Sequence, residues 1–272
     1  MKRLVVMFRS VVWILAAIPG FGFELAGAGE ITELPPPEKF HLYVLAGQSN
    51  MAGRGVVEDQ DRIVHPRVLM LNKDNRWVPA VDPMHFDKPG VGVGPGKSFG
   101  LMMAEANPEV TIGLIPCAAG GSPIETWQPG GFHSQTRSHP WDDAIRRARI
   151  VANHGQIKAI LWHQGESDCS QTLAPEYEHR LHDLIARFRT ELKLPQVPFL
   201  AGQMGQFSEQ PWDQFKRQVD AAHQRLPQVV PATAFISSDG LSHKGDRIHF
   251  DSASCRELGR RYARALQGLS AE

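Results

Sequence analysis

A chain of 272 residues with 29 basic and 29 acidic side chains carries no formal net charge. That balance excludes the basic footprint of a nucleic-acid binder and electrostatic attraction to an anionic membrane. The length suits one large domain with a sizeable core, and three cysteines without C-x-x-C spacing exclude a zinc ribbon or a dithiol redox centre.

Residues 1–28 read as a secretory signal. Lys2, Arg3 and Arg9 form a basic front, Val11 to Ile18 an apolar core, and Ala26-Gly27-Ala28 a small-x-small cleavage pattern. The apolar run is interrupted by Pro19, Gly20 and Gly22 and is shorter than the ~20 residues a spanning helix needs. Export to the periplasm or beyond is therefore expected, with no membrane association after cleavage. Residues 29–39, with Pro35-Pro36-Pro37, read as a linker, and residues 40–272 as a single domain.

Within that domain strand-like apolar runs occur at Phe40–Ala46, Arg67–Leu71, Val110–Ile115, Ile157–Trp162, Val197–Ala201 and Thr233–Ile236. Helical periodicity marks Ser98–Ala106, Trp141–Ala152, Pro175–Leu192, Trp212–Leu226 and Ser254–Leu266. The alternation predicts an α/β fold, a mainly parallel sheet covered on both faces, with its active site at the carboxyl ends of the strands. The Gly- and Pro-rich stretch from Asp74 to Gly96 reads as a loop over one end of the sheet. Cys117 and Cys169 each follow an apolar run, so a disulfide between them is one expectation, leaving Cys255 over.

Polar residues collect at the predicted strand ends: Gly47-Gln48-Ser49-Asn50, Cys117 to Ser122, His163 to Asp168, and Asp246 to Phe250. Ser49 lies at a strand-to-helix turn, where a hydroxyl is held out beside a free N–H and serves as a nucleophile or as a helix cap. Asp246 and His249 have the spacing of an orienting acid and a base; His243, His163 and His223 are rival bases, and Asp239 and Asp251 rival acids. Gly120-Gly121 and Gln164 are candidate oxyanion donors, and Glu166 a loop-orienting or substrate contact. Gly96-Lys97-Ser98-Phe99-Gly100 fits G-x-S-x-G, but no strand precedes it, so Ser98 is expected to cap a helix. Trp77, Trp127, Trp141 and Trp162 are candidates for an aromatic binding platform. No H-E-x-x-H, EF-hand or clustered His/Cys spacing argues for a metal or other cofactor.

The stretches Gly47 to Gly55, Cys117 to Trp127, Trp162 to Asp168 and Asp246 to Phe250 resemble, in order, the four blocks of the SGNH hydrolases. They are closest to the branch containing sialate O-acetylesterases and carbohydrate esterase family six, the acetyl xylan esterases. The resemblance implies a flavodoxin-like three-layer α/β/α sandwich with a mainly parallel five-stranded sheet, the runs at Arg67 and Thr233 being extra or edge strands. It implies Ser49 as nucleophile, His249 as base and Asp246 as its partner. The oxyanion hole it implies consists of the Ser49 N–H, the Gly121 N–H and the Gln164 side chain, where the wider superfamily has asparagine. The implied activity is removal of O-acetyl groups from a carbohydrate, such as acetylated xylan or sialic acid, through an acyl-enzyme without cofactor. The alternative is a carbohydrate-binding protein that keeps the fold and lacks turnover; the Ser, His, Asp and Gln set argues against it.

Overall fold

The computed structural model describes residue 31 and residues 33–269. The segment read as a secretory signal, and part of the linker after it, lie outside the described residues. Seven strands form one sheet: β1 (Phe40–Gly47), β2 (Val68–Leu71), β3 (Trp77–Pro79), β4 (Thr111–Pro116), β5 (Gln156–His163), β6 (Phe199–Gly202) and β7 (Thr233–Ile236). Their order is β3-β2-β4-β1-β5-β6-β7. All neighbouring pairs are parallel except β2 and β3.

β1 lies in the middle of the sheet, and its side chains alternate between two cores, as a strand buried on both faces requires. Phe40, Leu42, Val44 and Ala46 join one cluster with Trp141, Ile145, Leu181, Ile185, Val219 and Leu226. These residues come from α4 (Pro140–Ile150), α5 (Tyr177–Glu191) and α6 (Gln214–Val229). Tyr43 and Leu45 join the other cluster, with Phe99, Met103, Leu258 and Tyr262 from α3 (Gly96–Ala106) and α7 (Ser252–Leu269). The α/β/α layering is thus the one expected, and two short helices, α1 (Ser49–Ala52) and α2 (Asp59–Arg62), follow β1.

Several expectations are corrected. The sheet has seven strands instead of five, and β2 is interior because β3 folds back antiparallel beside it, pairing Leu69 with Pro79 and Leu71 with Trp77. β3 falls in the stretch read as loop; three residues ending in proline suit only an edge strand. The Ile31 N–H donates to the Trp77 carbonyl at 2.9 Å, on this same edge. Trp77, Trp127, Trp141 and Trp162 are all core residues, none more than 3% exposed, so none offers a sugar platform. The three cysteines are free, without the Cys117–Cys169 bridge. Burial pushes the Cys117 thiol up to about 11 and those of Cys169 and Cys255 to about 12. Ser98 lies inside the first turn of α3, and Pro95 occupies the cap position. The Ser98 hydroxyl donates back to the Pro95 carbonyl at 3.2 Å.

Candidate active site

The turn after β1 is built on a glycine. Gly47 has φ +128°, and a Cβ there would stand 2.2 Å from the His163 carbonyl oxygen, so the chain passes β5 too closely for any side chain. Gln48 takes the cap position of α1 and donates its N–H to that same carbonyl at 2.9 Å. Ser49 is therefore the first helical residue, not the cap, and its N–H has no intrahelical acceptor.

Ser49 Oγ lies 3.0 Å from His249 Nε2, and His249 Nδ1 lies 2.7 Å from Asp246 Oδ2. The other Asp246 oxygen accepts the backbone N–H groups of Ile248 and His249 at 2.9 and 2.8 Å. Partial burial acts to raise the Asp246 pKa, but the hydrogen bonds from the His249 N–H, the His249 ring and the Ile248 N–H outweigh it. The carboxyl is held well below the usual carboxylate range. The rival residues have other work. His243 Nδ1 accepts the Gly245 and Arg247 N–H groups and so shapes the turn that carries Asp246. His163 and His223 are buried beside Tyr262 and Tyr177, and burial lowers them to about 3 and about 4. Asp251 caps α7 through the Ser254 N–H, and Asp239 is exposed.

Asn50 is a site residue that pattern reasoning passes over. Its Nδ2 donates to the Ile248 carbonyl at 3.1 Å and to Glu166 Oε1 at 2.6 Å, and its Oδ1 accepts the Phe250 N–H at 3.2 Å. It thus grips both neighbours of His249. The one signal in the sequence was its place directly after Ser49. Glu166 orients this joint, and its second oxygen is buried without a hydrogen-bond partner.

The glycine pair lies beside the nucleophile turn, because the Ala119 N–H donates to the Gly47 carbonyl at 2.9 Å. The Gly120 N–H is already given to Asp87 Oδ2 at 2.8 Å, an oxygen that also pairs with Arg54 Nη2 at 2.8 Å. Gly121, at φ +84°, is then the member of the pair whose N–H is open to a ligand. Gln164 departs from expectation. It is fully buried, and both amide hydrogens are engaged, one by the Ser122 carbonyl at 3.1 Å and one by Asp168. Its Oε1 accepts the Tyr177 hydroxyl at 2.9 Å. One methylene longer than asparagine, it reaches an internal network and leaves no donor for an oxyanion. Burial pushes the Asp168 carboxyl up to about 6, against the hydrogen bonds from Gln164 and the Ile124 N–H.

A cavity of about 270 Å³ adjoins this centre, with Glu166 and Ile248 on one side and Trp212, Lys216 and Arg247 around it. Trp212 is half-buried, with Lys216 Nζ 5.1 Å from its ring centroid. Among the described residues, no group of three or more His, Cys, Asp or Glu side chains is placed to hold a metal ion, and no helix is long and apolar enough to cross a membrane.

The sequence profile of the family described as carbohydrate esterase, sialic acid-specific acetylesterase matches residues 39–268. A probable carbohydrate esterase of Arabidopsis thaliana is 32% identical over 257 residues, covering 87% of this chain and 93% of the relative. The crystal structure of an Arabidopsis thaliana protein superposes with a TM-score of 0.74 at 29% identity, covering 86% of this chain and 99% of that one. The crystal structure of NanS gives 0.72 at 18% identity, covering 88% and 99%. The chain belongs to the sialic acid-specific acetylesterase family of carbohydrate esterases.

Proposed function

We propose that this family member is a serine esterase that removes O-acetyl groups from a carbohydrate through an acetyl-enzyme on Ser49. The observation that carries the reading is the relay Ser49 Oγ to His249 Nε2, at 3.0 Å, and His249 Nδ1 to Asp246 Oδ2, at 2.7 Å. With Asp246 accepting the Nδ1 proton, Nε2 is the acceptor that faces the serine. His249 takes the Ser49 proton as Oγ attacks the acetyl carbonyl. The oxyanion accepts from the N–H groups of Ser49 and Gly121. The sugar oxygen leaves with the proton held on His249, and water then attacks the acetyl-enzyme by the same route. Gln164 acts one step back: by holding the Ser122 carbonyl it positions the loop that presents Gly121. The leaving sugar lies in the cavity beside Glu166 and Trp212. A binding-only protein has no use for a serine aligned on an acid-backed histidine.

Ser49→Ala is expected to lower acetate release from acetylated xylan or acetylated sialic acid by about 1,000-fold or more while the protein stays folded; undiminished release sinks the assignment. Export belongs to the same reading, and N-terminal sequencing of the secreted protein checks cleavage after Ala28.

A further inference from the structure

Asp87 and Arg54 meet at the loop that carries Gly120 and Gly121. The Asp87 side chain is 2% exposed and that of Arg54 9%. One carboxylate oxygen, Oδ2, accepts both the Gly120 N–H and Arg54 Nη2, each at 2.8 Å. Arg54 is itself anchored. It follows the nucleophile turn, and its Nη1 donates to the Gly53 carbonyl at 2.8 Å. A Cβ on Gly120 would stand 2.4 Å from Arg54 Nη2 and 2.5 Å from Asp87 Oδ2, so only glycine permits the approach. The next two carbonyls of the loop are held as well. The Ser167 hydroxyl donates to that of Gly121 at 2.9 Å, and Gln164 to that of Ser122 at 3.1 Å.

Holding a backbone N–H takes an acceptor, not a charge. A carboxylate one peptide away from an oxyanion donor opposes the negative charge that develops there, and burial strengthens its field. Arg54 cancels that field. Among the described residues it is the one cation paired with Asp87. His85, in the same cavity lining, is buried and lowered to about 4, hence neutral. Lys88 gives its ammonium to Gln135 at 2.7 Å. Lys73 and Arg146 pair with Asp74 and Asp143, and Arg147 spends its guanidinium on the Pro116, Asn72 and Leu71 carbonyls.

We propose that Asp87 and Arg54 are positioning residues for the oxyanion hole. Asp87 fixes the Gly120 peptide so that the next N–H, of Gly121, faces the acetyl carbonyl. Arg54 cancels the carboxylate charge that would otherwise oppose the oxyanion. The inference rests on the esterase reading and extends it to the layer behind the reacting atoms.

The test measures acetate release from 4-nitrophenyl acetate and acetylated xylotriose, per serine titrated by diethyl 4-nitrophenyl phosphate, so that misfolded protein does not enter kcat. Asp87→Asn keeps an acceptor in place of Oδ2 and drops the charge; its kcat should stay within about threefold of wild type. Asp87→Leu removes the acceptor, and kcat should fall about 10- to 100-fold at constant KM. Arg54→Met leaves the carboxylate bare, and kcat should fall at least about 100-fold. In the double variant Arg54→Met/Asp87→Asn about tenfold of that loss should return. The losses should be equal on the two esters, because the loop acts on the acetyl carbonyl. The Arg54 series carries the test where Asp87→Leu does not fold. A double variant no faster than Arg54→Met overturns the proposal. So does a lowered melting temperature with kcat per titrated serine unchanged, which makes the pair purely structural. A loss carried by KM, or larger on the sugar ester, makes Asp87 a substrate contact and overturns it too. Failure of the esterase reading looks different: no serine is titrated, and Ser49→Ala keeps releasing acetate.

Discussion

Asn50 Nδ2 lies 2.6 Å from Glu166 Oε1, so the residue after the candidate nucleophile is fastened to the loop that follows β5. The same amide group spans to Ile248 and Phe250. Three chain segments far apart in sequence meet on one side chain, and the 3.0 Å approach of Ser49 to His249 depends on their alignment.

Asn50→Leu, similar in size and unable to make these bonds, is expected to lower kcat about 10- to 100-fold with little change in KM. Steady-state kinetics with a parallel thermal melt check it. A change confined to KM would make Asn50 a substrate contact.

In the proposed reaction, Asp246→Asn removes the charge that faces the His249 imidazolium. The expected loss in kcat is at least about 100-fold. The folded-state pKa of Asp246 is lowered, so its contribution to stability is present above the unfolded value and fades as pH falls through the folded one. The melting-temperature gap between wild type and Asp246→Asn should be level above about pH 5 and shrink in stronger acid. A gap that widens in acid contradicts the hydrogen-bonding account.

Asp82 gives the opposite sign. Burial, reinforced by Asp61 and opposed by Lys97, raises its carboxyl to about 7. Its favourable contribution is complete below the unfolded value, near pH 4, and is lost as pH rises through about 7. Asp82→Asn has no such proton to lose. Its melting temperature relative to wild type should climb between pH 5 and pH 8, and parallel curves would refute the shift.

Gly47→Ala places a methyl group in the His163 carbonyl, on a backbone conformation that L side chains rarely adopt. A stability loss of at least about 2 kcal/mol is expected, and denaturant titration measures it. A variant as stable as wild type would mean that β1 and β5 part more easily than their register indicates.

The layers of the fold are legible because a parallel sheet buried on both faces writes itself as continuous apolar runs, such as Phe40 to Ala46. The relay is legible because Asp246 and His249 are local and Ser49 sits at a glycine turn. What escapes is decided by distant contacts. β3 is three residues long and exists as a strand only against β2. The tryptophans read as surface candidates are drawn into the core by partners distant in sequence, such as Phe40 for Trp77, Phe188 for Trp141 and Phe199 for Trp162. Gln164 turns inward because Asp168 and Tyr177 wait there; Asp168 ends the same block, but Tyr177 lies outside it and their meeting is a matter of the fold. His85 and Asp87 lie in a stretch whose Gly and Pro content hides that both side chains end up buried.

The hydrogen bond from Ile31 to Trp77 lies on an open sheet edge. The outer edge of β3 would otherwise offer free backbone groups to a strand from another molecule. Ile31 lies three positions beyond Ala28, the scission point expected from the sequence, so cleavage there would leave this seal in place. Trimming a few residues further would strip it, and the shortened protein should self-associate through the bared edge of β3.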